Sequence, residues 1–344
     1  MTQPSRSALA GVVALGLSVV ALVAQDAQEA QFKSGVDLVN VTATVTDDEG
    51  RFIGALRQDD FKVYEDGVLQ DVTHFSNDRV PVSLGIVLDA SGSMTADKMS
   101  AARSAIDRLI YDLLGKDDEL FFEQFAATPL IRQEWTTDRR AISRAVASVD
   151  PVGGTAMYDA IADGLPLAEE GRNRKKAMLV ISDGNDTNSS IGVGELRQMI
   201  RQTEVMVYAL GVDGTTTTSR IQPRVQLPLP MPFPFPGGRR RPGTPPLPPI
   251  GGGGSNGTWS RQPNERVNAD ALRQITDDTG GRTEIVRGFG DLNGATARIA
   301  DELSRQYYLG YASSGKKDGK WHTIRVEVNR RGANVRARRG YVAS

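Results

Sequence analysis

The chain has 344 residues, 39% hydrophobic and 24% charged, with a formal net charge of -1, so it is long enough for one large domain and a smaller one and has no excess of basic residues with which to bind a nucleic acid. It contains no cysteine, which excludes disulfides and thiolate metal sites. Its two histidines, His74 and His322, leave little room for zinc or Ser-His-Asp chemistry.

At the N-terminus, Arg6 precedes an apolar run from Ala8 to Ala24 that gives way to polar residues. This is the pattern of a secretory signal over residues 1–24, with cleavage after Ala24. The alternative is an uncleaved anchor, the only route by which this chain would contact a membrane. Gly11, Gly16 and Ser18 dilute the apolarity that stable spanning requires and favour cleavage. No cysteine follows the run, which excludes an acyl-cysteine anchor. The expected location is outside the cytoplasm: periplasmic, cell-surface or secreted.

Residues 35–80 read as a β segment. Val39, Val41, Ala43 and Val45 alternate with polar neighbours, and Asp66-Gly67 is a two-residue hairpin signal. Residues 307–344 behave alike: His322, Ile324, Val326 and Val328 alternate, a turn falls near Arg331-Gly332, and a second strand follows. Neither segment can bury a core alone. They are expected to pair with each other and form one β-sandwich from both ends of the chain. On that reading His322 is a packed histidine and Tyr307, Tyr308 and Tyr311 are packing residues, while the basic hairpin "RRGANVRARR" suits a contact with anionic lipid or cell-wall polymer and, equally well, a solvated strand edge protected by charge.

Between these segments, over residues 82–306, strands alternate with helices. "VSLGIVLD" is a near-continuous apolar strand, as in a parallel sheet covered on both faces. An amphipathic helix follows, with Met99, Ala102, Ile106, Leu109, Ile110 and Leu113 on one stripe. "ELFFEQFA" and "PLIRQEWT" read as paired strands, "TAMYDAIADGLPLA" as a helix and "KAMLVISD" as a strand. The helix "GELRQMIRQ", the strand "VMVYALGV", the helix "NADALRQITDDTGG", the strand "RTEIV" and the helix "DLNGATARIADELSRQ" complete the series. The alternation predicts an α/β fold with a doubly wound, mostly parallel sheet. One stretch interrupts it: residues 215–266 hold twelve of the 17 prolines and can form neither ladder nor helix. A disordered loop insertion is preferred over a proline-rich ligand for a partner's groove, since long insertions cost little.

The chemistry gathers where the strands end. Asp89, Ser91 and Ser93 follow the first central strand, on the edge where open α/β sheets bind ligands. Thr155 follows Gly153-Gly154 and opens a helix, and Asp183 ends the next apolar strand. Two carboxylates and three hydroxyls are hard oxygen donors, suited to Mg²⁺ or to Mn²⁺ or Ca²⁺. Taken singly, each has a structural explanation. Ser93, Thr95 or Thr155 serves as a helix N-cap, and Asp183-Gly184 as an ordinary turn. The polar loops "NDTNSS" and "DDTGGRTE" lack calcium-loop spacing and read as turns.

"DASGS" after an apolar strand, "GGT" before a helix and "SDG" after a strand together resemble the von Willebrand factor type A domain. In that family these loops form a metal-ion-dependent adhesion site, and the resemblance implies that Asp89, Ser91, Ser93, Thr155 and Asp183 hold the ion. The partner so implied is a protein presenting an exposed Asp or Glu that completes the shell. The framing β segments resemble, more loosely, exported bacterial proteins carrying such a domain. The leading expectation is therefore an exported, metal-dependent binding module and not an enzyme. Rival readings are a scaffold with a vestigial site and a Mg²⁺-dependent hydrolase. The hydrolase is disfavoured by the lack of a catalytic lysine, a second nearby aspartate or a Walker-type loop.

Overall fold

The computed structural model describes residues 38–213, 267–313 and 317–343. The expected signal segment and the proline-rich insertion lie outside the described residues. The described residues from Val39 onward belong to one compact unit.

The chain opens with β1 (Leu38–Thr46), followed by β2 (Phe61–Glu65), β3 (Val68–Gln70) and β4 (Val72–Ser76). Between β2 and β3, Asp66 and Gly67 have φ of 49° and 83°, the pair of positive values that a two-residue type I′ turn demands. The α/β part then runs through β5 (Val82–Asp89), α1 (Ala96–Arg108), β6 (Glu119–Phe125), β7 (Pro129–Thr136), α2 (Arg139–Ala147), α3 (Met157–Glu169) and β8 (Lys175–Ser182). It continues with α4 (Val193–Arg201), β9 (Met206–Val212), α5 (Ala269–Thr276), β10 (Thr283–Val286) and α6 (Leu292–Arg305). The chain closes with β11 (Tyr307–Ala312), β12 (Trp321–Val328), β13 (Asn334–Ala337) and β14 (Gly340–Val342).

The central sheet has the order β10-β9-β8-β5-β6-β7. Its strands are parallel except for β7, which pairs antiparallel to β6 at the edge. Strand β5 sits between β6 and β8 and is buried along its whole length. Leu84, Ile86 and Leu88 pack with Met99, Ala102 and Ile106 of α1 and Ile299 and Leu303 of α6. Val87 faces the other layer, with Phe121, Met157 and Ile161 of α3, Leu196 of α4 and Leu272 of α5. Each such aliphatic side chain contributes roughly 2 kcal/mol by leaving water. This is the doubly wound, mostly parallel sheet that the alternation predicts.

Two four-stranded sheets flank it, β13-β1-β11-β4 and β14-β12-β2-β3. Each sheet combines strands from the two ends of the chain: β13 pairs with β1, β4 with β11 and β2 with β12, all antiparallel. Their inner faces share one core, with Val41, Val45, Val63, Tyr307, Tyr311 and Ile324 buried together. Glu302 of α6 ties this core to the central sheet. Its Oε1 accepts from Thr44 Oγ1 of β1 (3.2 Å) and from Tyr208 OH of β9 (3.0 Å), and it is paired with Arg336 of β13.

Three details depart from the expectations. Helix α2 is not anticipated by the sequence reading, because only Ile142 and Val146 mark its buried face; Asp138 caps it by accepting from Arg140 N at 2.9 Å. The first amphipathic helix ends its α geometry at Arg108, and Leu109–Leu113 widen into a π turn that keeps Leu109 and Ile110 buried. The C-terminal hairpin is not one: β13 crosses to pair with β1 and β14 returns to pair with β12. The crossing lets Val335 and Ala337 pack from one sheet and Tyr341 from the other.

Candidate metal centre

Asp89 is the last residue of β5 and Asp183 follows the last residue of β8, so both carboxylates lie on the same edge of adjacent parallel strands. Asp89 is 0% exposed and Asp183 1%. Asp89 Oδ1 accepts from Ser91 N (2.8 Å) and Oδ2 from Ser182 Oγ (2.6 Å). Burial pushes the Asp89 carboxyl up to about 6, against the hydrogen bonds from Ser182 and Ser91, and the charge of Asp183 adds to the rise. At neutral pH it is still mostly ionised. The hydroxyls of Ser91 and Ser93 lie 3.0 Å apart.

Backbone hydrogen bonds lace the three loops together. Val152 N donates to Ala90 O (2.7 Å) and Gly92 N to Gly153 O (2.9 Å), joining the first loop to the second. Thr187 N and Asn188 N both donate to Thr155 O, at 2.8 and 2.9 Å, joining the second to the third. A Cβ at Gly154 would lie 2.3 Å from Asn188 Oδ1, so a larger residue at this junction would displace that exposed side chain.

The structural explanations for the hydroxyls can now be compared with what caps the helices. Thr95, not Ser93, is the N-cap of α1, accepting from Lys98 N at 3.4 Å. Helix α3 starts after Ala156, which offers no side-chain cap. Its first amides are met from the third loop: Met157 N and Tyr158 N donate to Asp186 Oδ1 (2.8 and 3.3 Å). Neither Ser93 nor Thr155 is therefore spent on a helix end. The polar loop "NDTNSS" has a structural task through Asp186, and so has "DDTGGRTE", where Asp278 pairs with Arg197 (2.8 Å) and Arg201 (2.9 Å).

Two contributors escape the sequence reading. Ser182 is a lone hydroxyl at the end of an apolar strand and holds Asp89. Lys98 lies beside the helix stripe of Met99 and Ala102, and its ammonium is buried 3.7 Å from Asp183 Oδ2. A lysine directly beside the buried Met99, on the helix that follows the Asp89 loop, is the signal for it. The donor set fits a hard divalent cation. All five side chains offer oxygen, three hydroxyls are uncommitted to caps, and the buried carboxylates already draw one positive charge from within the chain.

A sequence model of the von Willebrand factor type A domain matches residues 84–185. Domains of this family are often protein-interaction modules. An uncharacterized protein of Synechocystis sp., sll0103, is 32% identical over 111 residues, which make up 31% of this chain and 26% of that protein. The chain thus matches about a quarter of the length of this curated relative. Among solved structures, BatB from Bacteroides thetaiotaomicron is similar at 22% identity and a TM-score of 0.43, over 64% of this chain and 98% of that one. A von Willebrand factor type A protein from Catenulispora acidiphila is 14% identical with a TM-score of 0.47, over 90% and 75%. Proximal thread matrix protein 1 from the mussel byssus, solved with a zinc-occupied adhesion motif, is 14% identical with a TM-score of 0.45, over 71% and 50%.

Proposed function

We propose that this protein is an exported binding module that grips an acidic residue of a protein partner through a divalent ion, Mg²⁺ in the first instance. Asp89, Ser91, Ser93, Thr155 and Asp183 would hold the ion. The observation that carries the reading is the set of hard oxygen donors on three interlaced loops at one sheet edge, with Ser93 and Thr155 left out of the helix caps.

When bound, the ion supplies a Lewis-acidic position for a carboxylate. The chain's own residues set the charge around that position. Asp89 and Asp183 bring two negative charges and Lys98 returns one, so a divalent ion leaves the site net positive and attractive to an acidic partner. The hydroxyls add donors without further charge. Ser182 and Ser91 N hold the Asp89 carboxylate in place, which fixes the site before a partner arrives. Export rests on the apolar run after Arg6.

Calorimetric titration of Mg²⁺ and Mn²⁺ into the metal-stripped chain, beside Asp89→Ala with unchanged fold, tests this. Saturable one-to-one binding by the native chain, lost in the variant, is expected. Equal binding by both chains, or none by the native chain even with an acidic peptide present, overturns the proposal.

A further inference from the structure

A second cluster of charged groups lies on the flanking sheets, away from the candidate centre. Glu65 ends β2, Asp66 begins its turn, and His322 stands on β12, which pairs with β2. Neighbouring residues of a strand point to opposite faces. The positive φ of Asp66 breaks that alternation, so both carboxylates reach one imidazole nitrogen. His322 Nδ1 lies 2.7 Å from Asp66 Oδ2 and 3.6 Å from Glu65 Oε1.

We propose that Glu65, Asp66 and His322 form a zinc-class metal site, separate from and chemically unlike the oxygen-only centre. One potential ligand atom from each lies within 4.8 Å of the others. Around a tetrahedral Zn²⁺ with bonds of about 2.0–2.2 Å, ligand atoms sit about 3.3 Å apart. The 2.7 and 3.6 Å separations from Nδ1 straddle that value, each roughly half an ångström or less from it.

Three further observations point to a cation. His322 Nε2 lies 3.2 Å from Asp318 Oδ1, a carboxylate contact that orients the imidazole, and an ion would take the place of the present Nδ1 contact with Asp66. Glu65 is 4% exposed, yet its Oε2 has no hydrogen-bond partner, while Oε1 accepts from Ser313 Oγ (2.9 Å) and Tyr341 OH (3.0 Å). Among the described residues no lysine or arginine pairs with Glu65. The carboxylates of Glu65, Asp66 and Asp318 gather around His322, with the exposed Lys320 3.8 Å from Asp318 and Arg338 stacked 5.3 Å from the Tyr341 ring that hydrogen-bonds Glu65. Asp66 is already held for the task, its Oδ1 accepting from Thr323 N (2.8 Å) and Thr323 Oγ1 (3.0 Å). The imidazole suits zinc or cobalt over magnesium.

The test is titration of Zn²⁺ and Co²⁺ into the untagged full chain carrying Asp89→Ala, which disables the proposed magnesium site and keeps the two readings independent. One equivalent is expected to bind, with Co²⁺ giving visible absorption of a four- or five-coordinate ion. Binding is expected to fall at least tenfold in both His322→Gln and Asp66→Asn, and to persist in His74→Gln. Thermal melts without metal show that each variant is folded. Should His322→Gln fail to fold, Asp66→Asn and the Co²⁺ spectrum carry the test alone. Stoichiometric binding that survives both substitutions, or no binding at micromolar Zn²⁺, overturns the proposal.

Discussion

The ammonium of Lys98 lies 3.7 Å from Asp183 Oδ2, with both side chains almost wholly shielded from solvent. This pair sets a balance in the candidate centre, because the lysine neutralises a carboxylate that a divalent ion would otherwise claim alone. Removing Lys98 leaves Asp183 buried without its counter-charge, a loss of about 3 kcal/mol. The same removal strengthens the pull on a divalent ion. In Lys98→Met, the melting temperature in EDTA is expected to fall, and the rise on adding Mg²⁺ to exceed that of the native chain. Calorimetry is expected to show about tenfold tighter Mg²⁺ binding, the equivalent of ~1.4 kcal/mol. Weaker Mg²⁺ binding in the variant would mean that the lysine supports the ion and does not compete with it.

Thr155 and Asp186 separate ion holding from helix capping. Because Asp186 Oδ1, not Thr155, meets Met157 N at 2.8 Å, Thr155→Val is expected to leave thermal stability within about 0.5 kcal/mol. It is also expected to weaken Mg²⁺ binding. Asp186→Ala removes the cap of α3 and is expected to cost about 1–2 kcal/mol. Melts and titrations of the two variants check both. A Thr155→Val variant as destabilised as Asp186→Ala would return the threonine to a structural role.

The central sheet and its site edge were legible in the sequence because their signals are local. The apolar run of β5, the stripe of α1 and the acid at each strand end can be read within a dozen residues. What was not legible depends on distant partners. Lys98 acquires its role only when β8 brings Asp183 beside it. Asp186 caps a helix that begins 29 residues earlier. His322 alternates correctly with Ile324 and looks like a packed residue, but the left-handed turn at Asp66 surrounds it with carboxylates. The C-terminal strands misled for a related reason. A turn at Gly332 suits a hairpin, and only the shared two-sheet core decides that β13 pairs with β1.

Glu302 joins α6 to β1, β9 and β13 through Thr44, Tyr208 and Arg336, with Arg282 Nη1 also 3.5 Å from its Oε2. Deleting the carboxylate leaves Arg336 without its ion-pair partner and the buried Tyr208 hydroxyl without its acceptor, while Arg282 keeps its pair with Glu284. Glu302→Ala is expected to cost about 3–5 kcal/mol and to raise amide exchange in β1 and β13. Arg298→Ala is the control: its 2.9 Å pair with Glu284 is solvent-exposed on the arginine side, and its loss is expected to cost no more than about 1 kcal/mol. Similar losses in the two variants would show that the junction does not depend on Glu302.

Glu123 of β6 is 0% exposed, and neither of its carboxylate oxygens has a hydrogen-bond partner. Burial, with the charge of Asp163 behind it, pushes its carboxyl from the ordinary 4.5 up to about 9. The folded chain therefore keeps a proton that the unfolded chain releases. Stability from this group is fully present below pH 4.5 and declines as pH rises towards about 9, by up to ~1.4 kcal/mol per pH unit. Glutamine fits the same space and does not titrate. Glu123→Gln is thus expected to melt close to the native chain at pH 5 and clearly above it at pH 8. Paired melts at the two pH values check the sign. An advantage that stays constant between them, or shrinks as pH rises, would show that Glu123 is ionised in the folded protein.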